Sequence, residues 1–326
     1  MAVGVLTDLV VYQDELQAGM FESIVQNIDA FNAASLNSIR LVRQDLRGEY
    51  NKESFFQPIT GLVSRRDLTS VAAETDLPMT QDEIVGVKIS RKIGPATHAI
   101  GALQHVSSDQ REMSYVLGQM IGKEKAKDIL NTSIKGVEAA IEGQTALVYD
   151  ATGESTTTLT HLHLINGLKK FGDQAQRIVC WVMHSKPYYD LMAQSVSDKI
   201  TNVADLVIHG AEIGSLNRPI VVTDSPALMD DDSAGGNYSV LGLVADGVVA
   251  TESEDETFIA EVVSGLAQLS FRIQGEYAFN LNCKGFKWDT SGGGANPTDA
   301  SIATTSNWDK AATEDKDLAG IRILVS

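Results

Sequence analysis

The strongest constraint on this chain lies between Ser107 and Gly143, where apolar residues recur at helical spacing for longer than most globular helices last. Met113, Leu117 and Met120 are followed by Ala126, Leu130, Ile134, Val137 and Ile141, with one break of phase between Met120 and Ala126. Ser107 and Gln110 make a capping box at the start, and Gly143 stands where a C-terminal stop belongs. At 1.5 Å per residue the helix would be roughly 50 Å long, against an average of about 11 residues for globular helices. Such a helix is a spine on which the rest of a domain must be hung. Gly118, Gly122 and Gly136 each cost about 1 kcal/mol relative to alanine and mark where it would bend.

Upstream, Met20, Ile24, Ile28 and Phe31 fall at helical spacing within Leu16 to Arg47, while Asn and Ser dominate from Asn32 to Ser38. The segment reads as a helical, partly loose arm. A long two-stranded hairpin follows, with Ile59 to Val71 going out and Ile84 to Ile93 coming back, where Val85, Val87 and Ile89 alternate with Gly86, Lys88 and Ser90. Its tip, Ala73 to Glu83, carries turn formers and acids without apolar periodicity. An isolated ribbon is marginal in water, so this one needs another surface to lie on, and a neighbouring subunit is the candidate.

Beyond a Thr/Ser-rich connector, Thr152 to Thr160, helices alternate with short strands. Leu162, Ile165, Leu168 and Phe171 mark an amphipathic helix, Ile178 to Met183 a buried strand, and Pro187 to Val196 a helix opened by Ser185 and Pro187. Strands follow at Pro219 to Thr223 and Ser239 to Ala245, separated by the loop Met229 to Asn237. Phe258 to Asn282 is again strand-like, and a glycine-rich loop, Ser291 to Pro297, precedes a last strand at Ile321 to Val325. The class is mixed α+β, and 326 residues suffice for two lobes.

With 26 Lys+Arg against 43 Asp+Glu, the formal net charge is -17. A surface this acidic repels phosphate backbones, which argues against sequence-specific DNA binding. It suits a wall that must not stick to enclosed DNA, and equally suits plain solubility. The N-terminus has no basic region before Asp8, and nowhere do about 18 apolar residues run without charge, so neither an export signal nor a membrane span is expected. Cys180 and Cys283 are too few for a disulfide framework or thiolate cluster, which fits synthesis in a reducing cytoplasm.

No motif reads as chemistry. His161 and His163 would share a face on a strand, but on a helix they stand about 200 degrees apart and cannot share an ion. His98, His105, His184 and His209 have no ligand spacing. Gly118 to Lys123 misses a phosphate loop by one residue and has Glu124 where Ser or Thr belongs. Asp230-Asp231-Asp232 lacks the glycine and closing glutamate of a calcium loop, Gly292-Gly293-Gly294 has no flanking lysine, and Cys180 sits in an apolar strand as an inert thiol would. No catalytic, metal or cofactor site is expected.

The order of arm, hairpin, spine helix, α/β lobe and returning strand resembles the tailed-phage major capsid proteins of the Hong Kong 97 type. The likeness is carried by Gly61 to Leu68, Val87 to Lys92, Trp181 to Leu191, Asn296 to Asp299, and Asn307-Trp308, which together span most of the chain. It implies an N-terminal arm at 1–49, an extended loop at 50–97, a peripheral domain at 98–150 with the spine helix, an axial domain at 151–264, and a return to the peripheral domain at 265–326. It also implies a non-enzymatic shell subunit that joins copies of itself as hexamers and pentamers around DNA in a bacterial host. Portal and scaffold proteins are then expected partners, with a decoration protein as a further candidate. Arg65, Arg66, Lys88, Arg91 and Lys92 form a basic zone at the hairpin base. Its expected partners on an adjacent subunit are Asp230, Asp231 and Asp232, or Glu252, Glu254, Asp255 and Glu256. The alternatives are an encapsulin-like compartment of the same fold and, in a different class, an acidic α/β hydrolase or ligand-binding protein, which would need a nucleophile and base that the sequence lacks.

Overall fold

The computed structural model describes the chain except residues 1–5, 45, 58, 60, 66–68, 70–72, 74, 100–109, 203–215, 217, 230–235 and 264–269. Helix α1 (Leu6–Ala34) leads into β1 (Ile39–Arg43), and β2 (Tyr50–Phe56) precedes the long strand β3 (Gln81–Ala99). Then come α2 (Gln110–Glu142), β4 (Val148–Asp150), α3 (His161–Lys170), β5 (Ile178–Met183), α4 (Ser185–Asn202) and β6 (Ile220–Val222). The remainder is β7 (Tyr238–Val244), β8 (Val248–Val263), β9 (Ser270–Cys283), β10 (Phe286–Trp288), α5 (Asp299–Ile302), β11 (Trp308–Lys310) and β12 (Gly320–Val325).

Two five-stranded sheets share α2. The first has the order β1-β8-β9-β3-β2, the second β4-β12-β7-β5-β6, and β10 pairs with β11 apart from both. One continuous core joins Val137, Ala140 and Ile141 of α2 to Val87, Phe279 and Leu281 of the first sheet and to Trp181, Leu241 and Ile323 of the second. At the end of α2, the buried Arg322 of β12 meets Glu138 at 2.8 Å and Glu142 at 3.2 Å, tying the last strand to the helix. The expected spine is a single helix of 33 residues, unbroken at its glycines. The proposed Ser107 cap falls outside the described residues.

The leading segment is helical, as its spacing implies, and departs from the expectation in the Asn and Ser run at its end. It is a helix from Leu6 onward, fastened at both ends of its contact with the body. A Cβ on Gly19 would lie 2.4 Å from the Tyr115 carbonyl oxygen, and one on Gly118 would lie 2.1 Å from that of Leu16, so only glycines permit this crossing of α1 over α2. Leu16 and Met20 then pack with Phe258 and Ile273 in a small second core. After α1 the chain reverses through Leu36 and Asn37, both at positive φ, while the Asn32 amide holds the Leu41 N–H at 3.0 Å and its carbonyl at 2.9 Å. The Asn and Ser run that reads as looseness is a fixed turn, because short polar side chains satisfy backbone groups and Asn tolerates the left-handed conformation.

The outgoing hairpin strand is also relocated. β2 spans Tyr50–Phe56 and pairs antiparallel with β3 from Tyr50↔Val87 to Phe56↔Gln81, whereas the described residues between 59 and 71 form no strand. β2 is a sheet edge, so its Lys52-Glu53-Ser54 centre faces water and the apolar alternation that would reveal it is missing.

Candidate assembly surface

The base of the β2–β3 hairpin is held by a side-chain pair, a backbone bond and a lysine of β10. Lys52 meets Glu83 at 2.9 Å, the Gln57 N–H donates to the Thr80 carbonyl at 3.0 Å, and Lys287 reaches Asp82 at 3.4 Å. Beyond this base the chain leaves the body at Phe56 and returns at Met79. Several of its large apolar side chains stay in solvent: Phe56, Leu62, Val63, Leu77 and Met79 are exposed, Val63 at 94% and Met79 at 69%. Five exposed large apolar side chains between the end of β2 and the start of β3 are more than scattered surface residues usually supply.

The basic zone resolves residue by residue. Arg65 is exposed on the loop with no ion-pair partner among the described residues, and Arg66 lies outside them. Lys88 pairs with Glu254 of its own chain. Arg91 meets Asp128 at 3.2 Å, bonds Asp299, and donates to Thr132 Oγ1 at 3.1 Å. Lys92 is exposed without an ion pair among the described residues. The acidic partners expected on another subunit divide likewise. Asp230, Asp231 and Asp232 lie outside the described residues, and Asp255 is in β8. Glu252, Glu254 and Glu256 are engaged within the chain. Lys88 and Arg91 therefore already hold carboxylates at home, and Arg65 and Lys92 are the described members left for a neighbour.

The run Glu252 to Glu256, expected to face an adjacent subunit, lies within strand β8. β8 bulges between Glu252 and Glu254 and again between Glu254 and Thr257, so that Glu254, which strict alternation would place on the same face as Glu252 and Glu256, turns outward while those two stay in. The Glu252 and Glu256 side chains are 6% and 7% exposed around Lys125 of α2, whose side chain is 1% exposed. Lys125 bonds Glu252 and stands 3.2 Å from Glu256, while Arg43 of β1 reaches Glu252 at 3.1 Å and Glu256 at 3.5 Å. Two cations balance two anions, which is what buried charge requires. Tyr277 lies beneath, its ring 5.0 Å from Lys125 Nζ and its hydroxyl donating to Asp128 Oδ2 at 2.7 Å. Burial, with the Asp128 carboxylate next, pushes that hydroxyl far above its ordinary range, so it remains a donor. Sequence reading overlooks Lys125 and Arg43, although a signal exists: Lys125 stands four residues from both Ile121 and Ile129, at a position that should be apolar.

Burial raises the Glu252 carboxyl above the ordinary carboxylate range, with Glu256 adding and Lys125 and Arg43 opposing. The folded protein thus binds that proton more tightly than the unfolded chain. Its contribution is full below the ordinary carboxylate value and is lost as pH rises through the raised one. Urea midpoints measured across this interval are expected to fall with pH in the wild type and to fall less in Glu252→Gln. Equal slopes would contradict the assignment.

An open groove of about 1040 Å³ runs between α2 and the first sheet, lined by Met120, Ile121, Glu124, Glu254 and Glu276 among others. His161 and His163 lie on α3, where Thr160 caps the helix by accepting from the His163 N–H at 3.2 Å. The helical placement separates the two rings, and no group of metal-ligating side chains occurs among the described residues. Gly118 to Lys123 is inside α2. Gly293 packs on the Trp288 ring, and Trp288 meets Trp308 edge-on at 4.9 Å, so the glycine loop is a core lid. Cys180 and Cys283 are buried and free, both thiols pushed up by burial.

A family model described as Gp13-like, major capsid protein 13-like, matches residues 8–322. Among solved structures, the chain is similar to one titled as the capsid asymmetric unit of cyanophage Pam1, with 11% identity, covering 87% of this chain and 88% of that one, at a TM-score of 0.51. It is also similar to one titled Mycobacterium phage Bobi, with 11% identity, 89% of each chain covered, and a TM-score of 0.51. At these identities the likeness is one of fold. No curated protein matches.

Proposed function

Since the chain belongs to the Gp13-like family of major capsid proteins and is a structural shell subunit of the Hong Kong 97-type fold, we propose that the loop between Phe56 and Met79 is the part of each copy that the next one covers. Residues 1–49 then act as arm, 50–97 as extended loop, 98–150 with 265–326 as peripheral domain, and 151–264 as axial domain. Copies join as hexamers and pentamers into an icosahedral head around phage double-stranded DNA, assembled in the host cytoplasm with portal and scaffold proteins. A net charge of -17 keeps the wall from binding the genome.

The observation that carries this reading is the exposed apolar set Phe56, Leu62, Val63, Leu77 and Met79, which the chain leaves in water. A single contact of this kind is weak, but each subunit repeats it, and multivalent closure makes the shell far more stable than any one contact. Expression of the chain followed by electron microscopy and sedimentation should show closed shells. A monodisperse monomer at every concentration and salt would overturn the reading. Within it, Arg65→Glu with Arg66→Glu is expected to impair shell formation while the circular dichroism spectrum and melting of the monomer stay as in the wild type; intact shells from that double variant would remove these arginines from the contact.

A further inference from the structure

Helix α1 contains five carboxylates, at Asp8, Asp14, Glu15, Glu22 and Asp29, and no lysine, arginine or histidine. Its inner face, Leu16, Gly19, Met20 and Ser23, is buried, while Ala18, Phe21, Glu22 and Asp29 on the other side are exposed. Phe21 is 52% exposed, with the Arg43 guanidinium 5.1 Å from its ring centroid. The outward face of α2 has the opposite sign. Val116, Met120, Lys123 and Lys127 follow one another there at helical steps, all exposed, with Leu117 and Glu124 at the margin. Neither Lys123 nor Lys127 has an ion-pair partner among the described residues. In a chain this acidic, two neighbouring unpaired lysines beside exposed Val and Met form a distinct surface.

We propose that α1 of one copy lies along the outward stripe of α2 of a second copy, with Phe21 over Val116 and Met120 and Asp29 over Lys127. The spacing agrees for parallel helices: eight residues from Phe21 to Asp29 span about 12 Å, and seven from Met120 to Lys127 span about 10 Å. The two patches differ, so the contact is head-to-tail; each copy offers α1 to one neighbour and α2 to another, and the series closes where its rotation closes. Opposite charge sets the register along the helices, and the apolar residues supply the buried area. Phosphate would suit the lysines but not Val116, Leu117 and Met120. The inference rests on the capsid reading above and goes beyond it by giving α1 an occupant for its outer face.

The test is Lys123→Glu with Lys127→Glu, followed by the same pair combined with Asp29→Lys. Shell yield is read by electron microscopy and sedimentation, with thermal melting of the dissociated chain as the folding control. The lysine double variant should need at least about tenfold more protein to assemble, the energy of roughly one charged contact, and Asp29→Lys should recover part of the loss, which a merely structural role would not do. Shells from the double variant at wild-type concentration overturn this contact alone. So does a loss that Asp29→Lys leaves unrelieved, or a defect confined to genome packaging with normal empty shells. A wild-type chain that stays monomeric overturns both this contact and the capsid reading.

Discussion

Replacing Leu62 and Val63 by aspartate is expected to abolish closed shells while leaving the monomer's melting temperature unchanged. Both side chains are in solvent in the single chain, so the folded monomer loses no packing. In an assembly that covers them, each would contribute about 1.5–3 kcal/mol on burial, and an aspartate in its place would have to be dehydrated without a partner. Two such changes weaken one contact by about 3 kcal/mol or more, over a hundredfold in its equilibrium constant. Every subunit repeats the contact, so the deficit multiplies through the shell. Shell assembly at wild-type concentration, monitored by sedimentation, would show that the loop tip lies outside the covered surface.

The largest expected effect on folding is at Lys125. Lys125→Met would leave the Glu252 and Glu256 carboxylates buried with Arg43, itself one-third exposed, as their remaining counter-charge. Removing one partner from a buried ion group costs about 3–5 kcal/mol, because the remaining charge is out of water and unbalanced. The loss should shrink on acidification, since protonated carboxyls no longer need the cation. Adding Glu252→Leu to Lys125→Met should restore part of the stability, as an apolar replacement of both partners removes the desolvation penalty as well as the attraction. Urea unfolding of the two variants at two pH values decides it; a Lys125→Met protein as stable as the wild type would mean that the cluster is hydrated and energetically minor.

The same cluster shows where a linear reading stops. The spine helix was legible because its apolar spacing recurs along its length with one break of phase, and β5, β7 and β12 were legible because strands buried on both faces read as short, mostly apolar runs. The order of arm, loop, spine and α/β lobe sufficed to place the chain among capsid proteins. β2 was not legible, since an edge strand with Lys52, Glu53 and Ser54 in water carries no alternation. Nor was β8 between Val248 and Thr257, where Thr-Glu-Ser-Glu-Asp-Glu carries no apolar alternation and lies in a strand paired on both sides, with Lys125 and Arg43 meeting its inward acids.

Local spacing alone thus determined which long segments are helices or buried strands, because it depends on neighbours in the chain, and the charge balance determined that the protein is acidic, because it depends on composition alone. Which charges are spoken for was decided only by the fold. Lys88 is paired and Lys92, four residues on along the same strand, has no ion pair among the described residues, because the carboxylate that comes from β8, Glu254, far away in the chain, reaches Lys88. A carboxylate's availability to another subunit depends on what its own chain places within a few ångströms, and that distance exists only after folding.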